Sequence, residues 1–246
     1  RRIRLWGIVQ GVGMRPLVTR LARSLNLTGQ VRNTDGLLEI EIAGHPDQLD
    51  RFSDRLHAEK PESAVYIRET TERVDWAGGM ETRPSFVILD STVSNQLELA
   101  FPSPDLAICP ACEQELAEAG NRRFRHAFNS CMHCGPRYSI LQALPYDRIT
   151  TTMADYPLCP ACQAEYTDDA DRRFHAQTIA CPDCGPQLIW QGRPDAAGAQ
   201  TGDDPLAMAV QTIQSGQVIA VKATGGYHLA CRADQEQAVQ VCRSIK

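Results

Sequence analysis

The sequence predicts an α+β chain in three parts, on three patterns. Residues 1–90 alternate between strand and helix periodicity in the order βαββαβ. Residues 91–190 hold eight of the ten cysteines in four CxxC pairs. A new helix and strand pattern opens at residue 205 and runs to residue 246.

In the first part, Ile3 to Val9 alternate as a strand does. Gln10-Gly11-Val12-Gly13-Met14-Arg15-Pro16 then makes a glycine-bearing turn, and Leu17, Val18, Leu21 and Leu25 line one face of a helix whose first turn suits Pro16. Residues 28–43 read as a hairpin with the Asp35-Gly36 turn signal. A helix carrying Leu49, Phe52 and Leu56 follows, then strand candidates at 65–74 and 85–89. This is the order of a ferredoxin-like sandwich, two helices on one antiparallel sheet. A glycine loop at a helix N-terminus aims several backbone N–H groups at one spot, and Arg15 beside it can grip a phosphoryl group with two donors. Taken alone, such a loop is as well read as a structural turn, and Asn33 as a turn-former ahead of Asp35-Gly36.

In the second part the spacing C-x2-C-x18-C-x2-C occurs twice. A shift of 50 residues superimposes Cys109, Cys112, Cys131 and Cys134 on Cys159, Cys162, Cys181 and Cys184, and also Arg122-Arg123-Phe124 on Arg172-Arg173-Phe174 and Gly135-Pro136 on Gly185-Pro186. The unit is duplicated whole. Two CxxC turns present four sulfurs to one point, the ligand set of a closed structural zinc site, so two structural zinc ions are expected. Pairing within each repeat is the first choice, and an interleaved pairing of outer with outer and inner with inner pairs has the same signature. Disulfides fit less well, because no secretory leader opens the sequence. Each unit has too few large apolar residues for a core, so metal supplies most of its folding free energy. His126, His133 and His175 read as surface or hydrogen-bonding residues. The two arginine pairs read as solvated or partner-facing charges offset by nearby acids such as Glu115 and Asp169. Tyr138 to Leu141 reads as strand-like.

Gln191 to Asp204, rich in Gly, Ala, Asp and Pro, marks a boundary. Beyond it Leu206, Ala209, Val210 and Ile213 mark a helix, Val218 to Val221 a buried strand, and a second helix runs from about Asp234, with Cys231 and Cys242 expected as buried thiols. Some 40 residues cannot bury a doubly layered core, so the natural protein is expected to continue, and to begin a few residues before Arg1.

Composition bounds the function. Hydrophobic residues at 43% and charged residues at 22% are ordinary for a globular chain, and no apolar run approaches the roughly 18 residues of a membrane span. A net charge of −5 argues against a dedicated nucleic-acid binder, and a cytoplasmic protein is expected.

Gly7-Ile-Val-Gln-Gly-Val-Gly-Met-Arg15 and Gly29-Gln-Val-Arg-Asn33-Thr-Asp-Gly36, in that order and spacing, resemble the acylphosphatases over nearly all of residues 1–90. The resemblance implies that the loop Gln10, Gly11, Val12, Gly13, Met14 and Arg15 binds phosphate and that Asn33 orients the attacking water. Met14 departs from the aromatic residue usual there, which leaves the rate of turnover open. The segment Gly216 to Lys222 with Gly225-Gly-Tyr-His-Leu-Ala-Cys231 resembles the opening of an α/β YrdC/Sua5-type domain, which implies ATP as co-substrate and nucleotide contacts at Lys222 and Lys246; each also reads as a solvated lysine. Together with the duplicated C4 units, the whole chain resembles the HypF-type carbamoyltransferases of nickel-iron hydrogenase maturation. That implies cleavage of carbamoyl phosphate at Arg15 and Asn33, activation of the carbamate with ATP, and transfer to the C-terminal cysteine of a partner protein, on the way to the cyanide ligand of the hydrogenase iron. Two other readings stay open: a zinc-finger interaction module with a silent acylphosphatase-like dock, and a nucleic-acid-binding or tRNA-modifying protein.

Overall fold

A computed structural model describes residues 1–74, 85–93, 100–192 and 204–245. The chain divides into two compact units, Arg1–Gly185 and Pro186–Lys246.

The first unit begins with β1 (Arg2–Ile8), α1 (Met14–Ser24), β2 (Thr28–Thr34), β3 (Leu37–Ala43), α2 (Pro46–Ala58), β4 (Val65–Glu72) and the short β5 (Phe86–Ile88). The strands form one sheet in the order β4-β1-β3-β2-β5, antiparallel except for β5, which pairs in parallel with β2. The expected hairpin is β2-β3, with Val31 opposite Ile40, and β1 sets Ile3 opposite Ile40 and Leu5 opposite Leu38. Alternation then sends Ile3, Leu5, Val31, Leu38, Ile40 and Ile42 into one core with Leu17, Val18 and Leu21 of α1 and Phe52 and Leu56 of α2. On the opposite face of β3, Glu39 and Glu41 are covered by Arg2, Arg4 and Arg32. Burial alone would raise the Glu39 carboxyl, but hydrogen bonds from Arg32 and Arg4 outweigh it and hold the group below its ordinary value.

The same period of two places Asn33 on the inward face of β2 with Gly29 and Val31. Asn33 and the Gln10–Arg15 loop line one cavity. In that loop Gly11 and Gly13 adopt φ of 72° and 86°, where a side chain is strained, and Gly13 caps α1 in the left-handed region.

The cysteine-rich part folds on the same unit with little regular structure: α3 (Pro110–Ala117), α4 (Pro160–Thr167) and three short 3-10 turns, Tyr138–Ile140, Arg148–Thr150 and Thr152–Asp155. Each α-helix opens with a cysteine at its N-cap and proline in the first turn, and buries the second cysteine of its CxxC pair. The expected strand at Tyr138 to Leu141 is instead a turn. The Asp105 carboxylate accepts from the backbone N–H of both Arg137 and Ser139, which tightens the chain there, and only Leu141 bridges to Thr151.

The second unit holds α5 (Pro205–Gln214), an antiparallel hairpin of β6 (Ile219–Ala223) and β7 (Gly226–Ala230), and α6 (Glu236–Ile245). The expected buried strand is exposed: Val221 is 43% accessible, and among the described residues of this unit only Ala238 is buried. A two-stranded hairpin and two helices offer no second layer to cover it. Cys231 and Cys242 are half-buried rather than buried. Most of the expected boundary, residues 193–203, and Lys246 lie outside the described residues. No helix among the described residues is long and apolar enough to cross a membrane.

Ile40 sits at the centre of the sheet between β1 and β2, fully buried. Ile40→Ala is expected to cost about 2–5 kcal/mol in urea unfolding of the first unit. A change under about 1 kcal/mol would contradict this packing.

Candidate functional site

The sulfurs settle the pairing. Cys109, Cys112, Cys131 and Cys134 form one cluster and Cys159, Cys162, Cys181 and Cys184 the other, with all ligand atoms of a cluster within 4.8 Å of one another. Cys109 to Cys131 is 3.7 Å and Cys131 to Cys134 is 3.9 Å, and Cys159 to Cys181 and Cys181 to Cys184 are both 3.7 Å. A tetrahedron of thiolates about 2.3 Å from zinc sets sulfurs about 3.8 Å apart, while a disulfide would bring them to about 2.05 Å. The pairing is sequential within each repeat, and the donors fit zinc. None of His126, His133 and His175 joins either cluster.

The arginine pairs correct their expected role. Arg122 of the first repeat donates to Cys162 Sγ at 2.8 Å and to Glu165 at 3.2 Å in the second. Arg123 donates to the Glu165 carboxylate at 2.5 Å and to the Ala180 carbonyl at 2.8 Å. Fifty residues on, Arg172 donates to Cys112 Sγ at 3.0 Å and pairs with Glu115, and Arg173 pairs with Glu115 and donates to the Ser130 carbonyl at 3.1 Å. Each repeat thus holds the other's metal site in a reciprocal clamp. Arg123 and Arg173 are only 2% and 3% exposed, because carboxylate, thiolate and carbonyl acceptors satisfy the guanidinium fork. Burial alone would raise the Glu115 carboxyl, but hydrogen bonds from Arg173, Arg172 and Asn129 pull it down to about 2. The repeated Arg-Arg was the signal, but the partner repeat that satisfies it is visible only in three dimensions.

A second site lies where the cysteine module meets the Gln10–Arg15 loop. A cavity of about 20 Å³ is lined by Gly11, Gly13, Arg15 and Asn33 from one side and by Arg137, Tyr146 and His175 from the other. The cavity is partly open to solvent rather than enclosed. Arg15, 9% exposed, donates through Nη2 to Asp147 Oδ1 at 2.7 Å and to the Tyr146 carbonyl at 3.4 Å. Asn33 is 1% exposed, and neither its Oδ1 nor its Nδ2 has a partner. The Gln10 side chain serves the framework: Nε2 donates to the Thr34 and Leu37 carbonyls and Oε1 accepts from Tyr146 N–H at 2.8 Å. Val12 and Met14 are buried in the core, with the Tyr66 hydroxyl 3.6 Å from the Met14 sulfur. Burial, with a smaller effect of the Arg15 charge, lowers His175 to about 4, so its imidazole is neutral at neutral pH. In the second unit, Lys222 is exposed on β6 with Nζ 5.9 Å from the centre of the Tyr227 ring.

The comparisons match this layout part by part. The acylphosphatase family model matches residues 1–88, the HypF finger model matches 108–141 and again 158–191, and the telomere recombination model of the Sua5, YciO and YrdC proteins matches 211–246. The chain is 47% identical to carbamoyltransferase HypF2 of Cupriavidus necator over 246 residues, all of this chain and 30% of that protein. The chain belongs to the HypF family. Carbamoyltransferase HypF of Synechocystis is 43% identical over 99% of this chain and 31% of its own length. A crystal structure of full-length HypF in a phosphate- and nucleotide-bound form superimposes with a TM-score of 0.90 at 36% identity, covering 99% of this chain and 31% of that one. The chain therefore spans about three-tenths of the length of the HypF proteins it matches. Separately, an acylphosphatase of Salinibacter ruber is 39% identical over 84 residues, 34% of this chain and 84% of that enzyme. Residues 1–88 of this HypF family member are an acylphosphatase domain, and the free enzyme matches the chain without the finger repeats.

The clamp makes a crossed prediction. In Arg172→Ala, a chelator is expected to strip zinc about tenfold faster from the Cys109 cluster than from the wild type, although Arg172 lies in the second repeat. Alkylation mapped by mass spectrometry should label Cys109, Cys112, Cys131 and Cys134 first. Early labelling of the Cys159 set would contradict the clamp.

Proposed function

We propose that the acylphosphatase domain of this chain hydrolyses carbamoyl phosphate, with Arg15 and the Gln10–Arg15 loop holding the phosphoryl group and Asn33 orienting the attacking water. The observation that carries this reading is Asn33. Leaving a buried amide unpaired costs about 1–3 kcal/mol, and here both of its polar atoms are unpaired at the cavity that Arg15 lines. An amide can accept from a water through oxygen and donate through nitrogen, which fixes the direction of attack.

Arg15 has donors to spare. Among the described residues only its Nη2 is bonded to protein, so the N–H groups of Nε and Nη1, on different edges of the planar guanidinium, remain to donate to the phosphoryl group. The positive end of α1 and the loop N–H groups add to that field. The water oxygen bonds to phosphorus while the bond from phosphorus to the acyl oxygen breaks; the electron pair leaves with carbamate and the water's proton passes to the phosphate product. Positioning and charge neutralisation suffice for such a step.

For the protein that this chain belongs to, the reading extends to a relay. The carbamate is activated with ATP by the YrdC-like part, where Lys222 and Lys246 are the proposed nucleotide contacts, and the carbamoyl group passes to the C-terminal cysteine of a hydrogenase-maturation partner. The domain limits 1–90, 91–190 and 205–246 follow the same division of labour. Zinc holds the finger repeats together and takes no chemical part. Eight unpaired thiolates favour a reducing compartment, and a cytoplasmic location is proposed on that ground.

The test is phosphate release from carbamoyl phosphate. Asn33→Ala is expected to keep affinity for inorganic phosphate and lose at least about 100-fold in kcat, and Arg15→Ala to lose both binding and turnover. A wild-type chain that binds no phosphate and releases none would instead support a silent dock.

A further inference from the structure

The phosphate loop is not held by the acylphosphatase domain alone. The Gln10 carbonyl accepts from the Ser103 hydroxyl, and the Gly11 carbonyl accepts from Arg137 Nε. In a trans peptide the C=O and the next N–H point in opposite directions. These two bonds therefore turn the N–H groups of Gly11 and Val12 away from Ser103 and Arg137. The rest of the Arg137 guanidinium donates to the carbonyls of Cys131 (3.3 Å), Met132 (3.0 Å) and Cys134 (3.0 Å), the turn that carries half of the first metal site. Arg137 is 2% exposed, so it is a fixed strut between that turn and the loop.

Asp147 completes the arrangement. It caps the Arg148–Thr150 turn, with its side chain accepting from the Thr150 backbone, and its Oδ1 holds Arg15 Nη2 at 2.7 Å. Among the described residues, the Arg15 guanidinium is held by Asp147 and Tyr146 and by no residue of 1–90. Without the Asp147 carboxylate and the Tyr146 carbonyl, a long guanidinium side chain would sample several rotamers, and the edge offered to phosphate would not be fixed.

On the reading that Arg15 binds the phosphoryl group, we propose that Asp147 and Arg137 of the cysteine module are positioning residues of the acyl-phosphate site: Asp147 holds Arg15 by one nitrogen so that a remaining N–H of the guanidinium meets the ligand from a fixed position, and Arg137 fixes the loop peptides. The free acylphosphatase that matches residues of the first domain has no finger repeat to supply either, so this site depends on a module that the free enzyme lacks.

The experiment is calorimetric titration of the zinc-loaded chain with inorganic phosphate, in the wild type, Asp147→Asn and Asp147→Ser. Asparagine and serine both keep the turn cap. Asparagine has one oxygen, which must accept both from the Thr150 N–H and from Arg15, and serine is too short to reach Arg15. Phosphate affinity is expected to fall about tenfold in Asp147→Ser and to stay within about threefold of the wild type in Asp147→Asn. Zinc content, measured alongside, should not change. Wild-type affinity in the serine variant overturns the proposal; so does tighter binding in both, which would make the carboxylate a competitor of phosphate, and so does equal loss in both. If the wild type itself binds no phosphate, the acyl-phosphate reading falls and the proposal with it, whereas phosphate binding that ignores both substitutions removes the positioning role alone. Arg137→Ala is a second arm, in which weaker phosphate binding at full zinc content is expected and unchanged binding counts against the strut.

Discussion

Buried guanidinium groups, each with its donors shared among several acceptors, are the interaction on which the first unit depends. The cysteine module has little apolar core: Ile140, Met153, Ala180, Ile179 and a few partners make up small clusters around the thiolates. In place of a core it has Arg123, Arg137 and Arg173, all at most 3% exposed. Arg148, partly buried, acts in the same way, donating to the carbonyls of Gln177, Ile179 and Tyr156. A buried charge is costly unless its whole hydrogen-bonding capacity is met. The sulfur clusters and the turns around them meet it, by fixing a crowd of carbonyls and thiolates at the right places. The sulfur clusters and the buried guanidinium groups therefore support one another, and the duplication supplies both halves of the clamp made by Arg122, Arg123, Arg172 and Arg173.

The acylphosphatase domain contributes the opposite quality, a conventional core with one deliberate flaw. Its sheet and two helices bury Ile3, Leu5, Ile40 and Phe52 completely. On the same inward face of β2 stands Asn33 with its amide unsatisfied. A fold stabilised by the neighbouring apolar layer can carry one unpaired amide. The domain sets Arg15 and Asn33 on a rigid frame, and the cysteine module covers them, so the small cavity is walled by residues more than 100 positions apart in the chain.

Much of this is legible in the sequence because it is local or periodic. Alternation in Ile3 to Val9 and in residues 28–43 gives the sheet, and the 50-residue repeat gives the eight ligands, with only the choice between sequential and interleaved pairing left to geometry. Asn33 and Arg15 came from motif resemblance, and the structure brings them to one cavity. What sequence could not reach depends on distant partners. Arg122, Arg123, Arg172 and Arg173 looked solvated because their acceptors lie in the other repeat. Asp147 and Arg137 look like ordinary loop charges until the fold sets them beside Arg15 and Gly11, 132 and 126 residues away. The Tyr138–Ile140 turn was hidden for the same reason, since it is Asp105, some thirty residues earlier, that tightens it.

The central claim is that one acyl-phosphate site is built jointly by the acylphosphatase domain and the cysteine module. Its most direct measurement is a crystal structure of the zinc-loaded chain with inorganic phosphate. The account predicts phosphate oxygens within hydrogen-bonding distance of Arg15 Nε or Nη1 and of the N–H groups of Gly11 and Val12, with Asp147 still on Nη2 and Arg137 still on the Gly11 carbonyl. Phosphate bound elsewhere, or bound at Arg15 only after Asp147 and Arg137 have let go, would contradict it.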